Sequence, residues 1–237
     1  MAAGLNKIDK KGRQGQWEKL YPNGNKMYEG QFKNDVPFGV FKRYAENGNL
    51  QSVQTYGKGD ESSVVFYEFD GKTVSSEGKF KGKLKVGEWK YYSNGTLILT
   101  EMYVDGKKNG VSKSYREGKL LEETPYKNDL KDGVEKAYLP DGKLYAETTY
   151  KEGKLHGPYK MYEGNETPVE TGEFNNDNRH GKWVIYDENG KQLEETVYVN
   201  GQLQETKKLQ KEQFQQLKEN ERNKGKFIEP SSSEPKN

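Results

Sequence analysis

The sequence predicts an all-β fold: an elongated, single-layer, twisted antiparallel meander of eight β-hairpin repeats of about 24 residues, with a short C-terminal α-helix. Three observations predict it. Glycine recurs at Gly15, Gly39, Gly87, Gly110, Gly133, Gly157 and Gly181, with Ser63 in the one vacant place, in steps of 24, 24, 24, 23, 23, 24 and 24. A second column, Phe32, Tyr56, Phe80, Tyr103, Tyr126, Tyr150, Phe174 and Tyr198, keeps the same register and is aromatic in all eight units. Each unit also carries two turn signals, which leave segments of about five to eight residues between them; that is strand length.

Taken in order, residues 1–14 are a polar N-terminal segment expected to be only partly ordered. Units then start near 15, 39, 63, 87, 110, 133, 157 and 181 and run to residue 201. Two residues past each start lie Trp17, Phe41, Val65, Trp89, Ser112, Glu135, Tyr159 and Trp183, so the fifth and sixth units are weaker. Five residues past the start, Tyr44, Tyr92, Tyr115, Tyr138, Tyr162 and Tyr186 form a further row. The first turn of each unit reads Asn-Gly, Asp-Gly or Glu-Gly, from Asn23-Gly24 to Asn189-Gly190. Asn-Gly and Asp-Gly suit two-residue hairpins in which both positions take positive φ. The second turn follows each column aromatic, as at Asn34-Asp35, Asp105-Gly106 and Asn200-Gly201. Between turns the pattern alternates, with Leu144, Ala146, Thr148 and Tyr150 on one side of a strand and Tyr145, Glu147 and Thr149 on the other.

Roughly sixteen strands at ~4.8 Å spacing give a ribbon about 75 Å long. Its aromatics stack unit over unit, at roughly 0.5–1.5 kcal/mol per ring pair beyond area burial. Ser63 with Val65, and Pro168 in the seventh unit, mark places where the array is expected to bend. After Gly201 the pattern changes to a stretch free of Gly and Pro through Lys224, with Leu209, Phe214 and Leu217 as a thin apolar stripe. Residues 202–225 are the helix, read as a cap on the last hairpin or as a docking segment. Residues 226–237 read as a disordered tail.

Composition narrows the function. Hydrophobic residues are 30% of the chain and charged residues 32%, which suits a ribbon better than a globular core. Lys and Arg number 39 against 37 Asp and Glu, so no basic field is present to hold nucleic acid or an anionic bilayer non-specifically. Cysteine is absent, which removes disulfides, thiolate metal sites and cysteine nucleophiles. The longest apolar run, Val64 to Tyr67, is too short to cross a bilayer. No apolar signal segment opens the chain, so the expected location is cytoplasmic by default and periplasmic or cell-envelope for a chain trimmed of its signal.

No catalytic constellation emerges. His156 and His180 occupy equal places in successive units, about 10 Å apart, too far to share a metal. Glu122-Glu123 and Glu194-Glu195 are strand neighbours that face opposite ways, not acid/base couples. No turn is followed by the Gly-Lys-Ser/Thr of a phosphate loop. Asn94-Gly95-Thr96 and Asn165-Glu166-Thr167 match the glycosylation sequon but arise freely from turn composition. No cofactor, metal or catalytic residue is expected, and the chain is read as no enzyme. The tyrosine row (Tyr44, Tyr92, Tyr115, Tyr138, Tyr162, Tyr186) supplies the candidate partner contacts, because Tyr is enriched at binding hot spots.

The repeated unit G-x-W-x-x-Y, followed by the first-turn glycine, seven further residues and Y-x-(N/D/E)-G, clearest at Gly181–Gly201 and Gly87–Gly106, resembles the MORN-repeat variant found widely in bacteria. The resemblance spans about residues 15–201 and departs from the eukaryotic MORN consensus, which has a tighter Tyr-x-Gly-x-Trp core. It implies a non-enzymatic scaffold that binds another protein, in its most concrete form an antitoxin- or immunity-type protein. The alternative it implies is a cell-envelope or membrane-associated structural protein. The charge balance argues against lipid contact, and the chain is expected to be a monomer or a weak dimer formed through the C-terminal helix.

Overall fold

The computed structural model describes residues 4–204 together with Gln215 and Lys218. Residues 4–204 form a single 20-stranded sheet in which all paired neighbours run antiparallel. Two strands are interrupted once: Lys107–Lys108 continues as Gly110–Arg116 against Thr96–Val104, and Leu130–Lys131 as Gly133–Tyr138 against Lys119–Lys127. Counting each interrupted strand once leaves eighteen strand lines, a ribbon of about 80 Å at ~4.8 Å per line. Sixteen of them are the two arms of the eight units, and one extra line closes each end.

Those end lines fall where the sequence suggests other states. Within the 1–14 segment, Lys7–Asp9 pairs with Gly12–Leu20, so this part is hairpin, not partly ordered chain. Asn6 extends the pairing by imitating backbone: its amide donates to the Glu18 carbonyl at 3.0 Å, and its side-chain oxygen accepts from the Glu18 N–H at 2.8 Å. At the other end Gln202–Gln204 is a strand against Gln192–Val199, not the first turn of a helix. Gln215 and Lys218 are helical and exposed. The rest of the helix expected over 202–225, and the 226–237 tail, lie outside the described residues.

Turn chemistry sets the register. The second turns are tight, with both residues at positive φ at Asn34-Asp35, Asp105-Gly106, Asn128-Asp129, Glu152-Gly153, Asn176-Asp177 and Asn200-Gly201. The first turns are of two kinds. Asn94-Gly95, Glu117-Gly118 and Glu163-Gly164 put both residues at positive φ, whereas at Asn23, Asn47, Asp70, Asp141 and Asn189 only the following glycine does. In those wider turns a side-chain oxygen accepts from a nearby turn amide, as Asn23 does from Asn25 N–H at 3.0 Å and Asp70 from Lys72 N–H at 2.8 Å. Second turns also stitch unit to unit: the Asp35, Asp129 and Asp177 amides donate to the carbonyls of Arg13, Lys108 and Leu155.

One face collects the rings. Phe32, Phe41, Trp89 and Trp183 are buried to between 1% and 6% exposure in a sheet with no second layer. They cover one another edge to face, with centroids 5.0 Å apart for Phe32–Phe41, Phe80–Trp89 and Phe174–Trp183. Cations close the outer side: Lys85 lies 4.2 Å from the Trp89 ring centroid and Arg179 3.9 Å from that of Trp183. Around the ring-less places Ser112 and Glu135 of the weaker fifth and sixth units, polar groups fill the row instead. Glu101, 6% exposed, pairs with Lys108 at 2.6 Å and accepts from the Tyr103 hydroxyl at 2.6 Å. Glu135 pairs with Lys131 and accepts from Thr124 at 3.0 Å.

The third unit corrects the sequence reading. Val65 pairs with Val53 on the opposite face, while Val64, 3% exposed, and Phe66 take the ring-side places. Elsewhere the unit-start glycine forms a bulge, as at Gly39 (φ 67°), where the ladder steps from Gln31↔Phe38 to Glu29↔Lys42. Ser63 makes no such bulge, and the preceding connection Gly57–Asp60 is longer, so the strand's alternation is offset by one residue. Neither Ser63 nor Pro168 breaks the sheet. Pro168 lies in the connection before Glu170–Asn175, which pairs on both sides.

Candidate interaction face

The tyrosine row lies on the face opposite the rings. Phe41 shares its face with the rings, whereas Lys42, one residue on, pairs with Glu29, and it is with Glu29 that the Tyr44 hydroxyl meets. Each tyrosine reaches back one unit. Tyr44 donates to Glu29 at 2.7 Å, Tyr92 to Glu77 at 2.8 Å, Tyr138 to Glu123 at 2.8 Å and Tyr162 to Glu147 at 3.1 Å. Tyr186 meets the Thr171 hydroxyl at 3.4 Å. Tyr115 stands over the unit that places Thr100 there, and its hydroxyl has no hydrogen bond among the described residues. All six rings are half-buried.

Lysines complete the lattice. Lys26 holds Glu29 at 2.7 Å and Glu18 at 2.9 Å, Lys113 holds Glu123 at 2.8 Å, and Lys136 reaches Glu147 at 4.0 Å. The ammonium of Lys26 and then the Tyr44 hydroxyl hold Glu29 below the usual carboxylate range; Lys113 and then Tyr138 do the same for Glu123. Burial, and after it the hydrogen bond to a carboxylate, pushes the hydroxyls of Tyr44, Tyr92 and Tyr138 up to about 12. These phenols are structural donors that stay neutral across the physiological range.

The carboxylates of this lattice escape a reading based on tyrosine spacing alone. Their signal is a fixed place three residues before each column aromatic: Glu29, Val53, Glu77, Thr100, Glu123, Glu147, Thr171 and Glu195. In the third unit, offset by one residue, Tyr67 takes the place that Tyr44 takes in the second, each following a register shift, so the acceptor place beneath it is Val53. Carboxylate acceptors therefore accompany Tyr44, Tyr92, Tyr138 and Tyr162, whereas Tyr67 and Tyr115 stand over Val53 and Thr100 with no hydroxyl hydrogen bond among the described residues.

His156 and His180 sit at equal places on this face, and no group of His, Asp and Glu able to hold a metal occurs among the described residues. Glu122 and Glu123 do diverge, Glu122 accepting from Thr124 on the ring side and Glu123 from Tyr138 on the other. Concavities are shallow. One cleft of about 350 Å³ and a neighbour of about 470 Å³ share Ser63 and Lys79, where the third unit lacks its bulge. The half of the face nearest the second turns carries exposed aliphatic side chains, Val36 and Val104 among them.

Five segments match the MORN repeat variant: residues 13–34, 39–58, 108–128, 131–152 and 179–200. They fall on the first, second, fifth, sixth and eighth units. The remaining three, including Gly87–Gly106, continue the same antiparallel hairpins. No curated protein matches the chain.

Proposed function

We propose that this chain is a non-enzymatic repeat scaffold that binds another protein through the face opposite its ring row. The observation that carries the reading is the division of labour between the faces. The rings are spent on holding unit to unit, while the other face presents a flat, periodic surface with half-buried tyrosines and exposed aliphatics. Its chemistry-bearing groups are engaged in the lattice: Glu29, Glu77 and Glu123 each accept from a tyrosine, and Glu29 and Glu123 are also held by lysines. A rigid surface of this kind recognises a partner with little ordering cost. Match to the MORN repeat variant supports a binding role, and an antitoxin- or immunity-type role for this chain is its most concrete form.

Photo-crosslinking of the full chain in native lysate at moderate salt tests the proposal. Stoichiometric recovery of one protein is the expected outcome, and recovery of none overturns it. A turnover abolished by substituting a single carboxylate would overturn the non-enzymatic part. The cell-envelope alternative predicts co-flotation with vesicles containing phosphatidylserine; the near-balance of 39 basic and 37 acidic residues leads us to expect none.

A further inference from the structure

Exposed apolar side chains cluster on this sheet. Leu84, Met102, Val104, Val111, Leu130 and Val134 are 38% to 52% exposed. The pairing places all of them on the face opposite the rings, on the half nearest the second turns: Lys81↔Leu84, Glu88↔Met102, Val104↔Lys107, Val111↔Pro125, Lys127↔Leu130 and Val134↔Thr149. Three successive hairpin tips thus set one aliphatic beside one lysine, and Lys83 adds a fourth cation. Among the described residues Lys81, Lys83, Lys107 and Lys127 have no ion-pair partner, whereas Lys26, Lys42, Lys113 and Lys136 on the tyrosine half are paired. Asp105 and Asp129 are the carboxylates of these tips, and Asp129 is already occupied by the Lys108 N–H at 2.7 Å.

We propose that the rim from Leu84 to Val134 docks an acidic amphipathic helix of a partner protein, an assignment that rests on the scaffold reading above. Uncompensated ammonium groups beside aliphatics fit a segment that alternates carboxylates with leucine-like side chains. The spacing fits a helix laid along the ribbon. Equivalent places recur every two strand lines, ~9.6 Å, close to the ~10.5 Å rise of seven helical residues. Three tips therefore match about four turns. The chain's own segment 202–225 is the wrong occupant, because Lys207, Lys208, Lys211, Lys218, Arg222 and Lys224 outnumber Glu205, Glu212, Glu219 and Glu221. A second copy would set lysine against lysine.

Fluorescence anisotropy with the full chain tests this. The probe is a synthetic helix of about eighteen residues with leucine on one stripe and glutamate elsewhere; the control has the same composition in scrambled order. Saturable binding of the helix is expected. The scramble and the Lys81→Glu/Lys107→Glu/Lys127→Glu variant should each weaken it by about tenfold or more, with an unchanged circular dichroism spectrum in the variant. Lys10→Glu, an exposed turn lysine far from the rim, should bind like the parent. Failure of the helix to bind, or equal binding by the triple variant, overturns the proposal. Lysine-dependent flotation with phosphatidylserine vesicles without helix binding assigns the rim to a membrane and also overturns it. Undiminished crosslinking of a stoichiometric partner by the triple variant removes this rim as the interface and leaves the scaffold reading standing.

Discussion

The indole of Trp89 lies flat against Gly78, so close that a Cβ on the glycine would sit 2.3 Å from the ring. Phe41 occupies Gly30 in the same way at 2.4 Å, and Trp183 occupies Gly172 at 2.2 Å. The size of one unit's ring is thus written into the unit before it. Where the ring is missing, at Ser112 and Glu135, the opposing places are Glu101 and Thr124.

A methyl group at such a seat must displace an aromatic ring that is itself held on its far side. Gly78→Ala and Gly172→Ala should each lower stability by about 1–3 kcal/mol, the range for overpacking. Gly57→Ala is the control: its φ is not positive and an added Cβ meets nothing closer than the Glu61 carbonyl at 3.4 Å. Urea midpoints of the three variants check this; a Gly78→Ala midpoint equal to that of Gly57→Ala contradicts the seat.

Tyrosine-to-phenylalanine substitutions separate bonded from unbonded hydroxyls. Tyr44→Phe, Tyr92→Phe and Tyr138→Phe should each cost about 1 kcal/mol, while Tyr115→Phe should be close to neutral. Spectrophotometric titration gives a second reading. The hydroxyls of Tyr44, Tyr92 and Tyr138 are raised to about 12, so their neutral forms are favoured by folding. The stability they contribute is complete below the unfolded value, about 10, and is lost as pH rises through about 12. A late phase of phenol ionisation coinciding with unfolding is expected. Three early phenols in its place would contradict the lattice.

Acid should act through the polar middle of the ring row. Burial pushes the Glu101 carboxyl up, but hydrogen bonds from Lys108, Tyr103 and Tyr91 outweigh it and hold the folded value below the ordinary one. A depressed carboxylate contributes stability that is present above its unfolded value, about 4.3, and lost as pH falls through the folded value. Thermal midpoints should therefore fall below about pH 4, and Glu101→Gln should flatten that decline while lowering the midpoint at pH 7. A variant with an unaltered acid limb would move the acid sensitivity elsewhere.

How far the fold was legible follows from what each residue encodes. The hairpin meander was legible because Asn-Gly and Asn-Asp pairs impose turns locally, and because rings in every unit must fall on one face. Turn class was less so: Asn23 and Asn94 both precede glycine, yet only Asn94 takes positive φ. The offset in the third unit was hidden, since it depends on whether Ser63 bulges as glycine does. On the interaction face the tyrosines were visible by spacing and their acceptors were not, because Glu29 and Glu123 look like ordinary surface charge until strand register sets them beside the next unit. The unpaired lysines of the rim were hidden for the same reason, since pairing is a property of register.

Trp89 and Trp183 offer a last comparison inside one molecule. Both are almost fully buried, at 1% and 2% exposure, both meet a phenylalanine edge to face at 5.0 Å, and both carry a cation over the ring. They differ at the indole nitrogen. Trp89 Nε1 donates to the Lys79 carbonyl at 3.1 Å, whereas Trp183 Nε1 is buried without an acceptor among the described residues. Replacement by phenylalanine removes similar ring area at both sites, but at Trp183 it also relieves a buried unpaired donor, a group that costs about 1–3 kcal/mol. At Trp89 it instead leaves a carbonyl without that partner. Trp89→Phe should therefore be the more destabilising by about 1 kcal/mol or more in urea titrations followed by far-ultraviolet circular dichroism. Equal losses would mean that ring packing alone sets the cost at both seats, and that the indole hydrogen bond adds nothing to holding the units together.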